Sequence, residues 1–141
     1  MLKSIEEAAI NFCTHQLRQE CTLQDTPLDG EMLIAYIDVQ ANAKTNHRVF
    51  LLSDKSVIQK VAQLFLEEDQ SDEETLQDML LETANLIIGS AKVIAQEKNE
   101  SFEIQTPHFV KYGVFEEDVD VSKTFLLEDG KFVLALKEIY A

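Results

Sequence analysis

Basic residues are scarce in this chain: 12 Lys and Arg stand against 26 Asp and Glu, a formal net charge of −14. A surface this negative repels phosphate backbones and anionic lipid heads, so neither nucleic acid nor a membrane is expected as a partner. A protein presenting a basic patch or a bound metal ion would be attracted, although solubility alone is a sufficient reason for such a charge. Cysteine is also rare. Cys13 and Cys21 form no CxxC and no Cys/His cluster, and read as reduced thiols with Cys13 on an apolar face. His15, His47 and His108 include no i,i+4 pair, which argues against zinc.

Several longer patterns are missing too. No run approaches the roughly 18 apolar residues of a transmembrane helix. The opening MLKSIEEAAINF turns acidic at once and lacks the apolar core of a secretion signal, so a cytoplasmic location is expected. There is no GxSxG elbow and no Gly-rich phosphate loop. The acidic run EEDQSDEE, residues 67–74, lacks the alternating ligands and central glycine of an EF-hand, and reads as a solvated connector.

What is present is a 45% hydrophobic chain of 141 residues, expected to form one domain over 1–141. A chain of this length buries roughly two-thirds of its unfolded surface and needs no disulfide or metal to hold it. Leu2, Ile5, Ala9, Phe12 and Cys13 share one face of a helix expected over 2–19. Residues 21–30, with Pro27, Asp29 and Gly30, read as a loop. Strands are expected at 32–39 and 48–52, joined as a hairpin. Ser53 is placed to cap a helix over about 54–67 that buries Val57, Ile58, Val61, Leu64 and Phe65. Ser71 and Glu74 fit a capping box opening a long helix over about 72–97. Strands follow at 102–105, in FVKYG, at 124–128 and at 131–139, the last two joined by an Asp129-Gly130 turn. Pro107 reads as a turn setter, Tyr112 and Tyr140 as packing residues, and 116–122 as an exposed loop. The order α-β-β-α-α-β-β-β predicts an α+β fold: a largely antiparallel sheet packed with two long helices and an N-terminal one.

One stripe of the long helix breaks its apolar pattern. At about 100° per residue, Asp78, Glu82, Asn85, Gly89 and Lys92 fall on one line. Leu81 and Ile88 flank one edge, and Leu86 and Val93 the other. On a helix with so little polar surface, this line is expected to be the one solvent-facing seam. Glu82 can pair with an incoming cation, and Asn85, both donor and acceptor, can orient a water. Gly89 costs about 1 kcal/mol against Ala in a helix interior, a cost that makes sense if another backbone approaches there. Taken alone, E-x-x-N is common by chance, and a solvated seam with an incidental glycine explains it too.

The wider segment is more specific. ETANLIIGSAK, followed by TPHFVKYG, resembles the CheX branch of the CheC/CheX/FliY chemotaxis phosphatases. That family carries E-x-x-N on a long helix, usually followed by x-x-x-G-N-A-K, then a strand-entry proline and a P-x-x-V-x-G-like turn. The matches are Glu82, Asn85, Gly89, Ala91, Lys92, Pro107, Val110 and Gly113, and the element order fits over nearly the whole chain. The resemblance implies hydrolysis of the phospho-aspartate of a CheY-like response regulator. Glu82 would anchor the regulator through its lysine, and Asn85 would orient the attacking water. The Mg²⁺ would belong to the regulator, and this chain would need no cofactor of its own. Asp78, Leu81, Ile88, Gly89 and Lys92 would line the partner-binding edge, and pairing of two copies through sheet edges is implied by the same analogy.

The chain departs from the pattern in places. Where CheC-type sequences often have Asp-Ser, it has Gln77-Asp78, and Ser90 replaces the Asn of G-N-A-K. The second E-x-x-N that CheC proteins carry on the first helix is absent, since Asn11 is preceded by Ala8 at that spacing. One site is therefore expected. The altered Gln77-Asp78 pair keeps a second reading open, a non-catalytic module of the same fold that docks on a signalling or flagellar-switch protein.

Overall fold

The computed structural model describes residues 1–25, 29–41 and 45–139. Pro27 and Tyr140 lie outside the described residues. The helices are α1 (Leu2–Asn11), which continues into a π-helical turn at Phe12–Leu17, α2 (Lys55–Leu66) and α3 (Glu73–Glu97). The strands are β1 (Thr22–Gln24), β2 (Glu31–Gln40), β3 (Asn46–Ser53), β4 (Glu103–Ile104), β5 (His108–Val114), β6 (Val121–Leu127) and β7 (Gly130–Ile139). All pairings are antiparallel, in the order β1-β6-β7-β3-β2-β4, with β5 also on β2. The α+β class holds.

β2 and β3 are central and apolar because both of their faces are covered. Leu33, Ala35, Ile37, Val39, Val49 and Leu51 point to the three helices and form the main core with Ile58, Val61, Leu80, Ile87 and Ile88. Met32, Ile34, Phe50, Leu52 and Val133 point the other way, where Phe115 and the half-buried Val119 close a smaller cluster. The stretch expected as an exposed loop thus partly caps the sheet, and its last two residues, Val121 and Ser122, already belong to β6.

Several expected boundaries move, each for a local reason. The segment 21–30 is not all loop, because Thr22–Gln24 adds an edge strand on β6. The first helix is regular only to Asn11; its widened turn ends at Arg18 in the left-handed region, φ 56°. Ser53 completes β3 opposite Leu33 and Phe132, so Asp54 occupies the start of α2 instead. The long helix is capped by Asp72, whose carboxylate accepts the Thr75 N–H at 2.8 Å. A charged acceptor suits the positive end of the helix dipole, and Ser71 is left to donate its N–H to Gln59 Oε1 at 2.9 Å.

Leu64 and Phe65 continue the apolar stripe of α2 but are 43% and 38% exposed, because the packing surface ends at Val61 and Ala62. Tyr112, expected to pack, is also exposed, with Lys55 Nζ 4.0 Å above its ring. The final hairpin turns through Glu128-Asp129, and Gly130 follows at φ +141°. A Cβ on Gly130 would stand 2.7 Å from Asp54 Oδ2 and 2.8 Å from Ser56 Oγ, so glycine is required there. Among the described residues no helix is long and apolar enough to cross a membrane.

Candidate active site

The 25 residues of α3 run across the helix layer, which at 1.5 Å per residue makes the helix about 37 Å long. Leu76, Met79, Leu80, Thr83, Ala84, Ile87, Ile88, Ala91 and Ala95 bury most of its circumference. Thr83 is tolerated inside because its hydroxyl donates to the Met79 carbonyl at 2.7 Å. Asp78, Glu82 and Asn85 are exposed and follow one another at three- and four-residue spacing. Among the described residues, no hydrogen bond or ion pair takes up the side chain of Glu82 or Asn85.

The other members of the expected edge fare differently. Ile88 is 1% exposed and sits in the main core, so it cannot serve as a docking contact. Its angular position beside the seam faces the sheet once α3 is packed. Leu81 is half-buried against the same core. Lys92 is half-buried and its Nζ lies 3.5 Å from Glu103 Oε2 on β4. Gly89 is half-buried, yet a Cβ there would meet nothing within 4 Å. Among the described residues nothing crowds this position, so the packing does not require a glycine here.

Sequence reasoning missed a cleft beside the seam. Asn11, Phe12, His15, Gln16, Leu86 and Ser90 line a cavity of about 190 Å³ between the π-helical turn and α3. In the sequence Asn11 is distinguished only by the missing glutamate at E-x-x-N spacing, and the widened turn has no sequence signature that reveals the cleft. The three histidines are dispersed: His15 borders this cleft, His47 lies in β3, and His108 starts β5 with its ring 5.1 Å from that of Tyr36. Among the described residues no group of three or more His, Cys, Asp or Glu could hold a metal ion. Cys13 is no nucleophile, because burial and the neighbouring Cys21 push its thiol pKa far up.

The exposed pair has limited chemistry of its own. A carboxylate accepts hydrogen bonds or a cation, and a carboxamide both donates and accepts. What the pair can do is grip a positive group and position a small molecule beside it. The sequence profile of a family described as "Chemotaxis phosphatase CheX" matches residues 34–126, from within β2 through α3 and into β6.

The chain belongs to the CheX family.

Solved CheX-like structures share its fold. A chemotaxis protein CheX from Vibrio vulnificus superposes with a TM-score of 0.83 at 18% identity, covering 98% of this chain and 95% of that one. The CheX of a CheX-CheY-BeF3-Mg²⁺ complex from Borrelia burgdorferi gives 0.67 at 19% identity, covering 96% and 97%. FliY from Thermotoga maritima gives 0.56 at 17% identity, covering 98% and 84%. At these identities the likeness is one of fold. No curated protein sequence matches the chain. The matched stretch, residues 34–126, spans Glu82, Asn85, Gly89 and Lys92.

Proposed function

We propose that this CheX-family chain accelerates hydrolysis of the phospho-aspartate of a CheY-like response regulator in chemotaxis signalling, acting in the cytoplasm. The observation that carries the reading is the exposure of Glu82 and Asn85, one helical turn apart and engaged by nothing among the described residues. The formation of a CheX-CheY-BeF3-Mg²⁺ complex by the Borrelia burgdorferi relative supports the choice of partner.

Phosphoryl transfer asks for an in-line nucleophile and charge neutralisation more than for covalent help. The regulator brings the acyl phosphate, its own Mg²⁺ and a lysine. The Glu82 carboxylate accepts that lysine's ammonium and fixes the two proteins in register. The Asn85 carboxamide enters the regulator's pocket and holds a water in line with the phosphorus. The water oxygen bonds to phosphorus as the bond to the aspartate oxygen breaks, releasing inorganic phosphate, the aspartate carboxylate and a proton. Pairing of two copies through sheet edges completes the proposal, and exposed Val110, Tyr112 and Val114 on β5 offer such an edge.

The test is decay of phosphorylated regulator with and without the protein. Acceleration by the wild type and its loss in Asn85→Ala are expected. Unchanged decay with the cognate regulator would overturn the reading. The alternative, a non-catalytic module docking on a signalling or flagellar-switch protein, requires binding to persist in Asn85→Ala, with neither the wild type nor the variant accelerating decay of the regulator. Asn85 packed inside would have favoured it, and Asn85 is exposed.

A further inference from the structure

Five seam residues are too few for a partner interface, since even small transient interfaces bury several hundred Å² on each partner. The contact must therefore spread to one flank of α3. Towards β5, a cavity of about 140 Å³ lined by Lys55, Glu73, Gln77 and Tyr112 lies near the helix start. Its rim is already engaged, with Lys55 Nζ 3.5 Å from Glu73 Oε1 and 4.0 Å above the Tyr112 ring. Gln77 adjoins Asp78 at the far end of the seam, but it is eight positions from Asn85, or about 12 Å along the axis.

The opposite flank differs on each count. Leu86 and Ser90, which line the cleft against the π-helical turn, directly follow Asn85 and Gly89. Each therefore sits about 100° around the helix from the seam and within one turn of it along the axis. Asn11, His15, Gln16 and Ser90 are exposed, while the floor is Phe12, buried, and Leu86, half-buried. The lining carries no formal charge with His neutral, in a chain of net charge −14. The end of α1 and the widened turn make the wall, where Asn11, His15 and Gln16 border the cleft together. Such turns recur at functional sites.

We infer that this cleft is the specificity pocket of the docking surface and receives one side chain of the bound regulator. The side chain has an aliphatic stem and ends in a carboxamide, an uncharged group that both donates and accepts as the lining does. The stem lies on Phe12 and Leu86, and the carboxamide exchanges hydrogen bonds with the Asn11 and Gln16 amides, the Ser90 hydroxyl or the His15 ring. The inference rests on the regulator-docking reading above, but it concerns which regulator is chosen and not how the phosphate leaves.

The experiment measures, for the full chain, binding of the cognate regulator loaded with BeF3 and Mg²⁺, and turnover of the phosphorylated regulator at saturation. Ser90→Leu fills the cleft from an exposed position, and His15→Ala removes part of its wall. Ser90→Leu is expected to raise Kd about tenfold with kcat unchanged, and His15→Ala several-fold; each factor of ten corresponds to about 1.4 kcal/mol. Wild-type Kd in folded Ser90→Leu and His15→Ala, confirmed by circular dichroism, would overturn the inference while leaving the phosphatase reading intact. Binding that weakens as expected with no turnover even in the wild type would sustain the pocket and overturn the catalytic reading. Absence of regulator binding by the wild type would overturn both.

Discussion

Two polar clusters on this molecule have opposite fates. On the face of the sheet away from the helices, Arg48 donates to both Asp38 oxygens at 2.8 and 3.0 Å, and its guanidinium carbon lies 4.0 Å from the centre of the Tyr36 ring. The hydrogen bonds to Asp38 hold the Arg48 pKa above its usual value, so the two charges answer each other within the fold. On α3, Glu82 and Asn85 stand in solvent with no partner among the described residues. Polar groups that serve the fold are matched within it. Glu82 and Asn85 face water and are left free for the partner proposed above.

The contrast can be broken most sharply at Asn85. Asn85→Ala is expected to lower regulator dephosphorylation by about 10²-fold or more, the usual cost of one positioned group, with the melting temperature unchanged. A loss of stability in place of activity would erase the distinction. Glu82→Ala is expected to raise the regulator's Kd by about tenfold, in line with truncating one partner of a charged pair, again with unchanged melting.

Asp38→Ala should do the reverse. Both side chains of the Asp38–Arg48 pair are about a third exposed, so a loss of about 1 kcal/mol in chemical denaturation is expected, with turnover intact. Gly89→Ala separates the two kinds of residue within the seam itself. Because no atom stands within 4 Å of the added Cβ, it should stabilise the free protein by up to about 1 kcal/mol. If a regulator approaches there, its affinity should fall at the same time. Tighter or equal binding would show that the glycine has no docking role.

The smallest effect concerns pH and only the fold. Hydrogen bonds from Thr75 hold the Asp72 carboxyl below its ordinary value of 3.8. A depressed folded pKa means that the cap's contribution is complete above the unfolded value and is lost as pH falls through the folded one. Asn caps equally well without titrating. The stability difference between the wild type and Asp72→Asn should therefore be constant at neutral pH and shift against the wild type under acid, as thermal melts from pH 6 to about 2 would show.

Much of this was legible in the sequence because it rests on local periodicity. The α3 seam, the β2–β3 hairpin and the C-terminal hairpin each follow from spacing within a few residues. The rest depends on what packs against what. Ile88 and Leu81 look alike on a helical projection, but the sheet buries the first and only half covers the second. Leu64 and Phe65 fit the stripe of α2, and their exposure depends on where the neighbouring surface ends. β1 escaped notice because three residues carry no periodicity; only β6 makes them a strand. The cleft at Asn11 and His15 needs a widened turn and a second helix together, and neither can be read from the other.

The turn at Glu128–Gly130 has a consequence for the order in which the protein assembles. Ser56 Oγ donates to the Asp129 carbonyl, and the Lys131 N–H donates to Asp54 Oδ2 at 2.9 Å across a sequence separation of 77. Gln19 Nε2 donates to Asp129 Oδ2 at 2.6 Å, and β3 is flanked by β7 along its whole length. The start of α2, the end of the N-terminal helical segment and the middle of the sheet are thus fastened by one late hairpin. Such long-range closure is paid for in loop entropy before it is rewarded, which makes it slow. Without β7 the apolar β3 loses its partner along one edge, so damage to that hairpin is expected to surface as aggregation of newly made chains.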